Sequence, residues 1–421
     1  MNILFLTENF PPETNAAATR VFERAVYWAK DGHAVTIITC HPNFPRGQLY
    51  VGHRNAWKSR EVVDGITVVR VKTFIAPNRG VLRRSMDFLS FGLTGFLAAM
   101  RELRPDVICA TSPQFFAAVA AWMAGKLRGI PFVFELGDLW PASIAAVGAV
   151  KHRWLLKPIE ALELRMYRDA ACVAALTQHF KENLISRGIP DGKIAIVRNG
   201  VDLWRYGPRD RDTALAEQYD LADKFVVGYV GTHGMAHGLS NVLDAAEYLK
   251  DRNDIRLVLV GDGAERASLL DAATARDLAS LVMVPPQPKE AMPAIWSLMN
   301  VALVHLKDSP LFEGVIPSKM FEAEGMGLPV LYCAPAGEAS AILEEDEAGL
   351  VVPPGDPKAL ADAIRKLADD KKRMEKMASN SLAAAPRHSR SVQADRMIGV
   401  LKAAAEGRGA HVADAVKDAD G

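Results

Sequence analysis

The chain has 421 residues, of which 49% are hydrophobic and 24% are charged, a globular composition that excludes a disordered or fibrous protein. This length exceeds one usual hydrophobic core and predicts two domains. The formal net charge is zero, but it is unevenly distributed. Residues 1–200 carry 25 Lys and Arg against 16 Asp and Glu, a net charge of +9, and residues 201–421 carry 25 against 34, a net charge of −9.

The four cysteines are far apart in apolar surroundings and include no CxxC pair; they are Cys40, Cys109, Cys172 and Cys333. This pattern predicts buried free thiols in a reducing compartment rather than a disulfide framework or a zinc site. The apolar N-terminus has no basic segment before it and predicts a first strand rather than a signal peptide. The longest apolar stretch, residues 88–100, is shorter than the ~20 residues of a spanning helix. We therefore expect a cytoplasmic protein, at most peripheral on the inner face of the plasma membrane.

Short strand-like runs alternate with helical stretches along the chain, which is typical of parallel α/β domains. The predicted strands of the first half are residues 3–7, 34–39, 107–110, 131–134, 171–175 and 194–197. Those of the second half are residues 225–230, 256–260, 281–284, 301–304, 330–333 and 350–352. Residues 57–73 add a possible antiparallel excursion through Asp64-Gly65.

We predict two doubly wound, Rossmann-like domains. The predicted segments are a first domain at 1–200, a polar linker at 201–223, a second domain at 224–385, a C-terminal helix at 386–405 that packs back on the first domain, and a flexible tail at 406–421. Open parallel sheets bind ligands beyond the carboxyl ends of their strands, so the function is expected in a cleft between the domains.

In the first half, the loop after the first strand contains Asn15 and Ala16, whose amides can face a ligand where strand gives way to helix. Simple loop chemistry explains them equally well. Asp138 follows the strand at 131–134, where a carboxylate can orient or deprotonate an acceptor hydroxyl. A structural cap for the loop is the alternative.

Basic residues flank the apolar stretch 88–100, among them Arg79, Arg83 and Arg84. An apolar helix with basic ends is suited to an anionic membrane surface. The alternative is a core helix with solvated ends.

Residues 228–238 form a β-rich run that ends in three glycines, a hydroxyl and two histidines. The candidate anion-binding residues are Gly231, Thr232, His233 and His237. Glycines let amides approach a phosphate, and Thr or His can donate to a leaving oxyanion; a glycine turn with a cap is the alternative. Gly261-Asp262-Gly263 resembles the start of a dinucleotide fingerprint, but Arg266 replaces its last glycine, which makes it weak.

The sharpest local signal is Pro317-Ser318-Lys319 with Glu322 one turn later. Pro317 and Ser318 predict a helix start with Ser318 as its N-cap. The positive charge of Lys319 is unfavourable at the positive end of the helix macrodipole, and a bound pyrophosphate would compensate for it. Glu322 can accept two hydrogen bonds from a ribose diol. Alternatively, Glu322 only complements the dipole and Lys319 is a solvated charge. The Asp-x-Asp pairs at 210–212 and 418–420 follow no strand, so we predict no metal site.

These motifs together resemble glycosyltransferase family 4, over about residues 1–405. The segments that carry the resemblance are 41–45, 138–141, 199–202, 231–238 and 317–319. Within the family they are similar to a fucosamine-transferase-like, colanic-acid-type subgroup that makes O-antigen and exopolysaccharide. The resemblance implies a GT-B fold, two Rossmann-like domains facing across a cleft.

The resemblance also implies a retaining, metal-independent transfer of a sugar from a UDP-sugar, without a cofactor. We expect an N-acetylated hexosamine or deoxyhexosamine, moved to a lipid-linked or oligosaccharide acceptor in bacterial surface polysaccharide (lipopolysaccharide) biosynthesis. A polyprenyl-diphosphate-linked sugar is the expected acceptor, with no nucleic-acid partner. The expected catalytic residues are Asp138, His237 and Lys319. The expected donor-binding residues are Asn15, Ala16, Gly231, Thr232, His233, Gly261, Ser318, Lys319 and Glu322.

Two departures from the family pattern are visible. The broad family carries Glu-x7-Glu, and its first glutamate falls on Gly314, with Glu313 one residue away. Thr232 and His237 replace the usual Arg and Lys, so positive charge must come from Lys319 or from a protonated histidine. Two other interpretations stay open: a UDP-sugar epimerase of GT-B fold, and a non-catalytic scaffold that binds a nucleotide sugar.

Overall fold

The computed structural model describes residues 1–13, 15–44, 46–76, 81–139 and 156–412. The chain folds as two units, Met1–Asn199 together with the chain from Gln393 onward, and Gly200–Val392. Each unit has one sheet with two hydrophobic clusters, which is the α/β, Rossmann-like class that the sequence predicts. Every predicted strand is present within two residues of its expected bounds.

The first unit is built around an eight-stranded sheet. Its strands are β1 (Asn2–Leu6), β2 (Ala34–Cys40), β3 (Lys58–Val63), β4 (Ile66–Val71), β5 (Val107–Thr111), β6 (Phe132–Leu136), β7 (Cys172–Ala175) and β8 (Ile194–Ile196). The order is β3-β4-β2-β1-β5-β6-β7-β8, and only β3 and β4 pair antiparallel. Their connection confirms the predicted hairpin, since Asp64 and Gly65 both have positive φ, as a type I′ turn requires.

The helices of the first unit cover both faces of this sheet. They are α1 (Ala16–Lys30), α2 (Val81–Arg101), α3 (Phe115–Arg128), α4 (Lys157–Asp169) and α5 (Gln178–Ser186). The C-terminal helix also contributes from Gln393 onward: Trp28 Nε1 donates to Ala394 O at 3.0 Å. The start of the predicted flexible tail is packed rather than free, because Val412 is fully buried. Residues 413–421 lie outside the described residues.

The second unit is built around a six-stranded, all-parallel sheet. Its strands are β9 (Phe225–Val230), β10 (Ile255–Val260), β11 (Leu281–Val284), β12 (Val301–His305), β13 (Val330–Cys333) and β14 (Gly349–Val352), in the order β11-β10-β9-β12-β13-β14. The reversal of strand order beside β9 is a topological switch point. Ligands of open parallel sheets bind beyond the strand carboxyl ends at such a point.

The helices of the second unit are α6 (Thr213–Gln218), α7 (Ser240–Tyr248), α8 (Arg266–Ala275), α9 (Met292–Ser297), α10 (Ser318–Gly325), α11 (Glu338–Glu345), α12 (Pro357–Asp369), α13 (Lys371–Ala384) and the start of α14 (Arg390–Ala405). The predicted linker, residues 201–223, is folded into this unit. Val201 and Leu221 are in its core, and Val201 N donates to His388 O. Its apolar residues are spaced too widely among polar ones for the sequence to show this packing.

All four cysteines are buried and unpaired, as predicted. In the described part of the chain, no helix is long and apolar enough to cross a membrane.

Candidate functional site

Three predicted residues of the second unit meet at the carboxyl ends of its central strands. Gly231 follows β9, Gly261 follows β10, and Lys319 lies in the first turn of α10. A Cβ at Gly231 would lie 2.8 Å from Lys319 Nζ, and a Cβ at Gly261 would collide with Gly231 O. Both glycines have φ near +140°, a region that side chains disfavour. The backbone conformation therefore favours glycine at both positions, and the close approach of the Gly231 carbonyl also requires it at Gly261.

The side-chain nitrogen of Lys319 is buried and has no hydrogen-bond partner among the described residues. This Nζ lies 3.7 Å from the centroid of the Tyr229 ring, and no acceptor in the described part of the chain contacts it. Burial lowers its pKa to about 7, while Glu322 acts in the opposite direction. Tyr229 is itself fixed, because its hydroxyl donates to Thr232 O at 2.8 Å. An ammonium held over an aromatic face but lacking an anion is prepared to receive a ligand's negative charge.

Glu322 lies one turn after Lys319 on α10 and is half-buried. Its Oε2 accepts a hydrogen bond from Trp296 Nε1 at 3.2 Å. This bond orients the carboxylate beside the lysine, where it can accept hydrogen bonds from hydroxyl groups.

The start of α10 differs from its prediction in one respect. Pro317 occupies the N-cap position, Ser318 is the first helical residue, and no side chain caps the helix. The expectation that Ser318 is the N-cap is therefore wrong by one position. Ser318 is exposed.

Three histidines lie near Lys319, and burial keeps them neutral. Burial and the charge of Lys319 lower the pKa of His237 to about 4, and burial does the same for His305. Burial, followed by Arg266, also lowers the pKa of His233. In the free protein at neutral pH, these histidines therefore do not supply the positive charge of the missing family cations.

His305 was not singled out in the sequence, although it directly follows the predicted strand at 301–304. Asn241 Nδ2 lies 2.9 Å from His305 Nε2, and His305 Nδ1 lies 2.6 Å from His237 O. Because the amide is the donor of the first bond, Nδ1 carries the proton of the second. These two hydrogen bonds of His305 hold the turn Met235–His237 in place near Lys319. Tyr229 and Trp296 were also missed, and no local pattern identifies them.

In the structure, Gly314 occupies the position where the family pattern Glu-x7-Glu has its first glutamate. Gly314 is buried and Glu313 is exposed at the end of the turn Pro310–Phe312. A Cβ at Gly337 would collide with Glu313 O, so the backbone is closely packed there.

In the first unit, Ser112 fixes the loop that carries Asp138. Its Oγ accepts from Gly137 N at 2.8 Å and Asp138 N at 3.1 Å. Asp138 is half-exposed at the carboxyl end of β6. Residues 140 and 141 of the same motif lie outside the described residues.

The neighbouring Glu135 has a structural role. Arg20 and Arg24 form ion pairs with its buried carboxylate. Although burial opposes ionisation, these guanidinium groups lower its pKa. Asp138 is thus the more exposed of the two carboxylates at this strand end.

Asn15 and Ala16 lie at the start of α1 in the first unit. Asn15 is the N-cap, and its Oδ1 accepts from Ala18 N at 3.0 Å. This capping accounts for Asn15 without a ligand. The structure places both residues in a different unit from Gly231 and Lys319.

The predicted membrane segment corresponds to α2. Five apolar side chains spaced three or four residues apart are exposed on one face, which we call the apolar stripe: Met86, Leu89, Leu93, Leu97 and Met100. The opposite side packs on α3, where Gly92 meets Phe116. Arg83 and Arg84 are exposed at the N-terminal end of the helix, and Arg79 lies outside the described residues. The helix is therefore only partly a core helix.

Two family models match the chain. A glycosyl transferase 4-like domain covers residues 15–200, and a glycosyl transferases group 1 domain covers residues 211–383. One relative is an Escherichia coli K12 protein with the name colanic acid biosynthesis glycosyl transferase WcaI, and the two sequences are 27% identical over 376 residues. The aligned region covers 87% of this chain and 92% of the relative. A second relative is a GDP-mannose-dependent alpha-mannosyltransferase of Mycobacterium tuberculosis, to which this chain is 25% identical over 389 residues. That aligned region covers 91% of this chain and 92% of the relative.

Among solved structures, Anabaena Alr3699/HepE in complex with UDP-glucose aligns with a TM-score of 0.71. The alignment covers 96% of this chain and 100% of that one at 18% identity. This similarity bears on the fold alone.

Proposed function

The chain belongs to the two-domain glycosyltransferases of GT-B fold that join a glycosyl transferase 4-like domain to a group 1 domain, and from this premise we propose its reaction. The protein transfers an N-acetylated hexosamine or deoxyhexosamine from a UDP-sugar to a lipid-linked or oligosaccharide acceptor, with retention of the anomeric configuration. This transfer is a step in the synthesis of bacterial surface polysaccharide. The proposal depends on the ammonium of Lys319, which is held over Tyr229 beside two obligatory glycines and has no hydrogen-bond partner among the residues that the structure describes.

The second unit holds the donor in this proposal. The diphosphate lies against Lys319 and the glycine turn at Gly231, where a side chain would block the approach. Glu322, oriented by Trp296, accepts hydrogen bonds from the ribose. As the bond from the sugar to the diphosphate breaks, negative charge grows on the leaving oxygen. One well-placed donor such as Lys319 then contributes about 3–4 kcal/mol to transition-state stabilisation.

The first unit holds the acceptor, with Asp138 beside the attacking hydroxyl. Replacing Asp138 by Asn is expected to reduce kcat by about 10²–10⁴-fold, the range for a positioned acid or base, and to leave UDP-sugar affinity unchanged. Initial rates and calorimetry measure the two effects. The matched control is Asp64→Asn at the β3-β4 turn, where φ is positive and Asn fits equally well. Equal rates for the two variants would contradict the assignment.

The acceptor is proposed to be presented at an anionic membrane surface by the apolar stripe and its arginines. Each surface cation contributes about 1 kcal/mol to such binding, so Arg83→Ala with Arg84→Ala is expected to weaken association about 30-fold. Flotation with anionic liposomes measures it. The control pair Arg165→Ala with Arg168→Ala lies on exposed positions of α4. Association that is the same for both pairs would contradict this part of the proposal.

A donor panel tests the reaction. The purified protein is incubated with UDP-N-acetylhexosamines or with GDP-mannose, because one relative is named for GDP-mannose. A polyprenyl-diphosphate-linked sugar is the acceptor in each case. We expect extension of the lipid only with a UDP-sugar. Extension only with GDP-mannose would contradict the proposed donor and leave the enzyme class unchanged.

A further inference from the structure

A second group of ionisable side chains in the second unit takes no part in the proposed donor site. Glu324 lies on α10, Asp346 directly follows α11, and His388 ends the turn Ala385–His388. One ligand atom from each residue lies within 4.8 Å of the other two. His388 Nε2 is 3.1 Å from Asp346 Oδ2 and 4.0 Å from Glu324 Oε2. Among the described residues, no other three His, Cys, Asp or Glu side chains are grouped in this way.

Glu324 is the unexplained member. Its side chain is 0% exposed, and neither carboxylate oxygen has a hydrogen-bond partner within the ranges that the structure describes. Asp346, by contrast, is paired with Arg387 and His388. A buried carboxylate without a donor is costly, so its position facing a histidine and a second carboxylate indicates a missing positive partner.

We propose that Glu324, Asp346 and His388 bind one divalent transition-metal ion of the Zn²⁺ type. Imidazole nitrogen and carboxylate oxygen are ligands that Zn²⁺ prefers, at about 2.0–2.2 Å. Two ligands of one tetrahedral ion are then roughly 3.3 Å apart, so the 3.1 Å pair already fits. The 4.0 Å pair and the pair Glu324–Asp346, which lies within 4.8 Å, must close by up to about 1.5 Å. Water supplies the fourth ligand. The side chain of Arg387 is 62% exposed, so it can leave Asp346 at little cost when the ion binds.

The ion has a structural role. The ring of His388 stacks on Phe321 with centroids 4.6 Å apart, and Phe321 and Glu324 belong to the helix that carries Lys319. Through its three ligands, the ion therefore connects α10 to the end of α11 and to the turn Ala385–His388, and it stabilises their packing. Glu322 and Glu324 are two residues apart, about 200° around the helix, so the ion and the donor use different faces. The inference is independent of the proposed reaction, which uses no metal.

Calorimetric titration with ZnCl₂ after dialysis against a chelator tests the site. Wild-type protein is expected to bind one ion per chain, and Glu324→Gln to weaken binding at least tenfold, since loss of a ligand costs no less than loss of a supporting residue. The matched control is Glu345→Gln, an exposed carboxylate beside Asp346, which is expected to leave affinity unchanged.

Equal affinity of the Glu324→Gln and wild-type proteins would overturn the inference, and so would the lack of one-to-one binding by the wild type. If the variant does not fold, the visible absorption spectrum of wild-type protein after addition of Co²⁺ tests the site instead. Intense visible absorption bands of a four-coordinate ion support the site, and the weak spectrum of the hydrated octahedral ion overturns it.

Discussion

Replacing Glu322 by Gln is expected to weaken UDP binding by about 100-fold and to reduce kcat/KM at least as much. The carboxylate is proposed to accept two hydrogen bonds from the ribose, and charge-assisted bonds contribute about 1.5–3 kcal/mol each. A neutral amide keeps the size of the side chain but accepts with one oxygen and carries no charge. Calorimetry with UDP measures the binding, and initial rates measure kcat/KM.

Two further variants separate the charge of Glu322 from its orientation. Trp296→Phe removes the donor that holds Oε2, so a smaller loss is expected. Glu345→Gln removes an exposed carboxylate on a neighbouring helix, and no change is expected. UDP binding that is unchanged in Glu322→Gln would show that this residue does not contact the ribose.

Affinity for a UDP-sugar is expected to fall as the pH rises from 7 to 9. The pKa of Lys319 in the free protein is about 7, because burial disfavours its charge. Below pH 7 the lysine is already protonated and meets the diphosphate as a cation. Above pH 7 the free protein must first take up a proton, so affinity falls by up to tenfold per pH unit until the pH exceeds the pKa in the complex. Calorimetry in two buffers of different ionisation enthalpy measures this proton uptake.

The matched variants assign the pH dependence to Lys319. Lys319→Gln is expected to remove it and to reduce transfer by about 10²–10³-fold, the loss seen when one oxyanion donor is deleted. Lys307→Gln, an exposed lysine after β12, is expected to leave both unchanged. His237 and His305, with pKa values of about 4, stay neutral over this range and add no proton uptake. A pH-independent affinity in the wild type would contradict the role of Lys319.

Much of the fold follows from local sequence signals. Apolar runs buried on both faces identify the parallel strands, and the Asp64-Gly65 pair specifies the hairpin because both residues adopt positive φ. The linker prediction failed because the buried hydrophobic residues of 201–223 are few and at least five residues apart: Val201, Tyr206, Ala216 and Leu221. Periodicity detects a continuous face, not isolated anchors.

The sequence identified some of the residues that lie together in the second unit, but not their electrostatics. Gly231, Gly261 and Lys319 were identified from their positions after strands and at a helix start. The neutral state of His237 depends on burial by residues far away in the sequence, which no motif encodes. Tyr229 lies within a predicted strand, so the sequence did not indicate that its ring centroid is 3.7 Å from Lys319 Nζ.

The distribution of charge gives Lys319 particular weight. The second half of the chain has a net charge of −9, with 25 basic residues against 34 acidic ones. It is nevertheless the half proposed to bind a diphosphate. In the proposed donor site, Lys319 supplies the local positive charge that the net charge of this half opposes.

The most direct test of the account is to quantify all nucleotide and sugar products in one reaction with a UDP-N-acetylhexosamine and a polyprenyl-diphosphate-linked acceptor. Mass spectrometry and nuclear magnetic resonance follow the free UDP, the extended acceptor and the nucleotide sugar. The account predicts one UDP released for each sugar gained by the acceptor, with the anomeric configuration of the donor retained. Conversion of the UDP-sugar into its epimer without release of UDP, or binding of UDP without transfer, would contradict it.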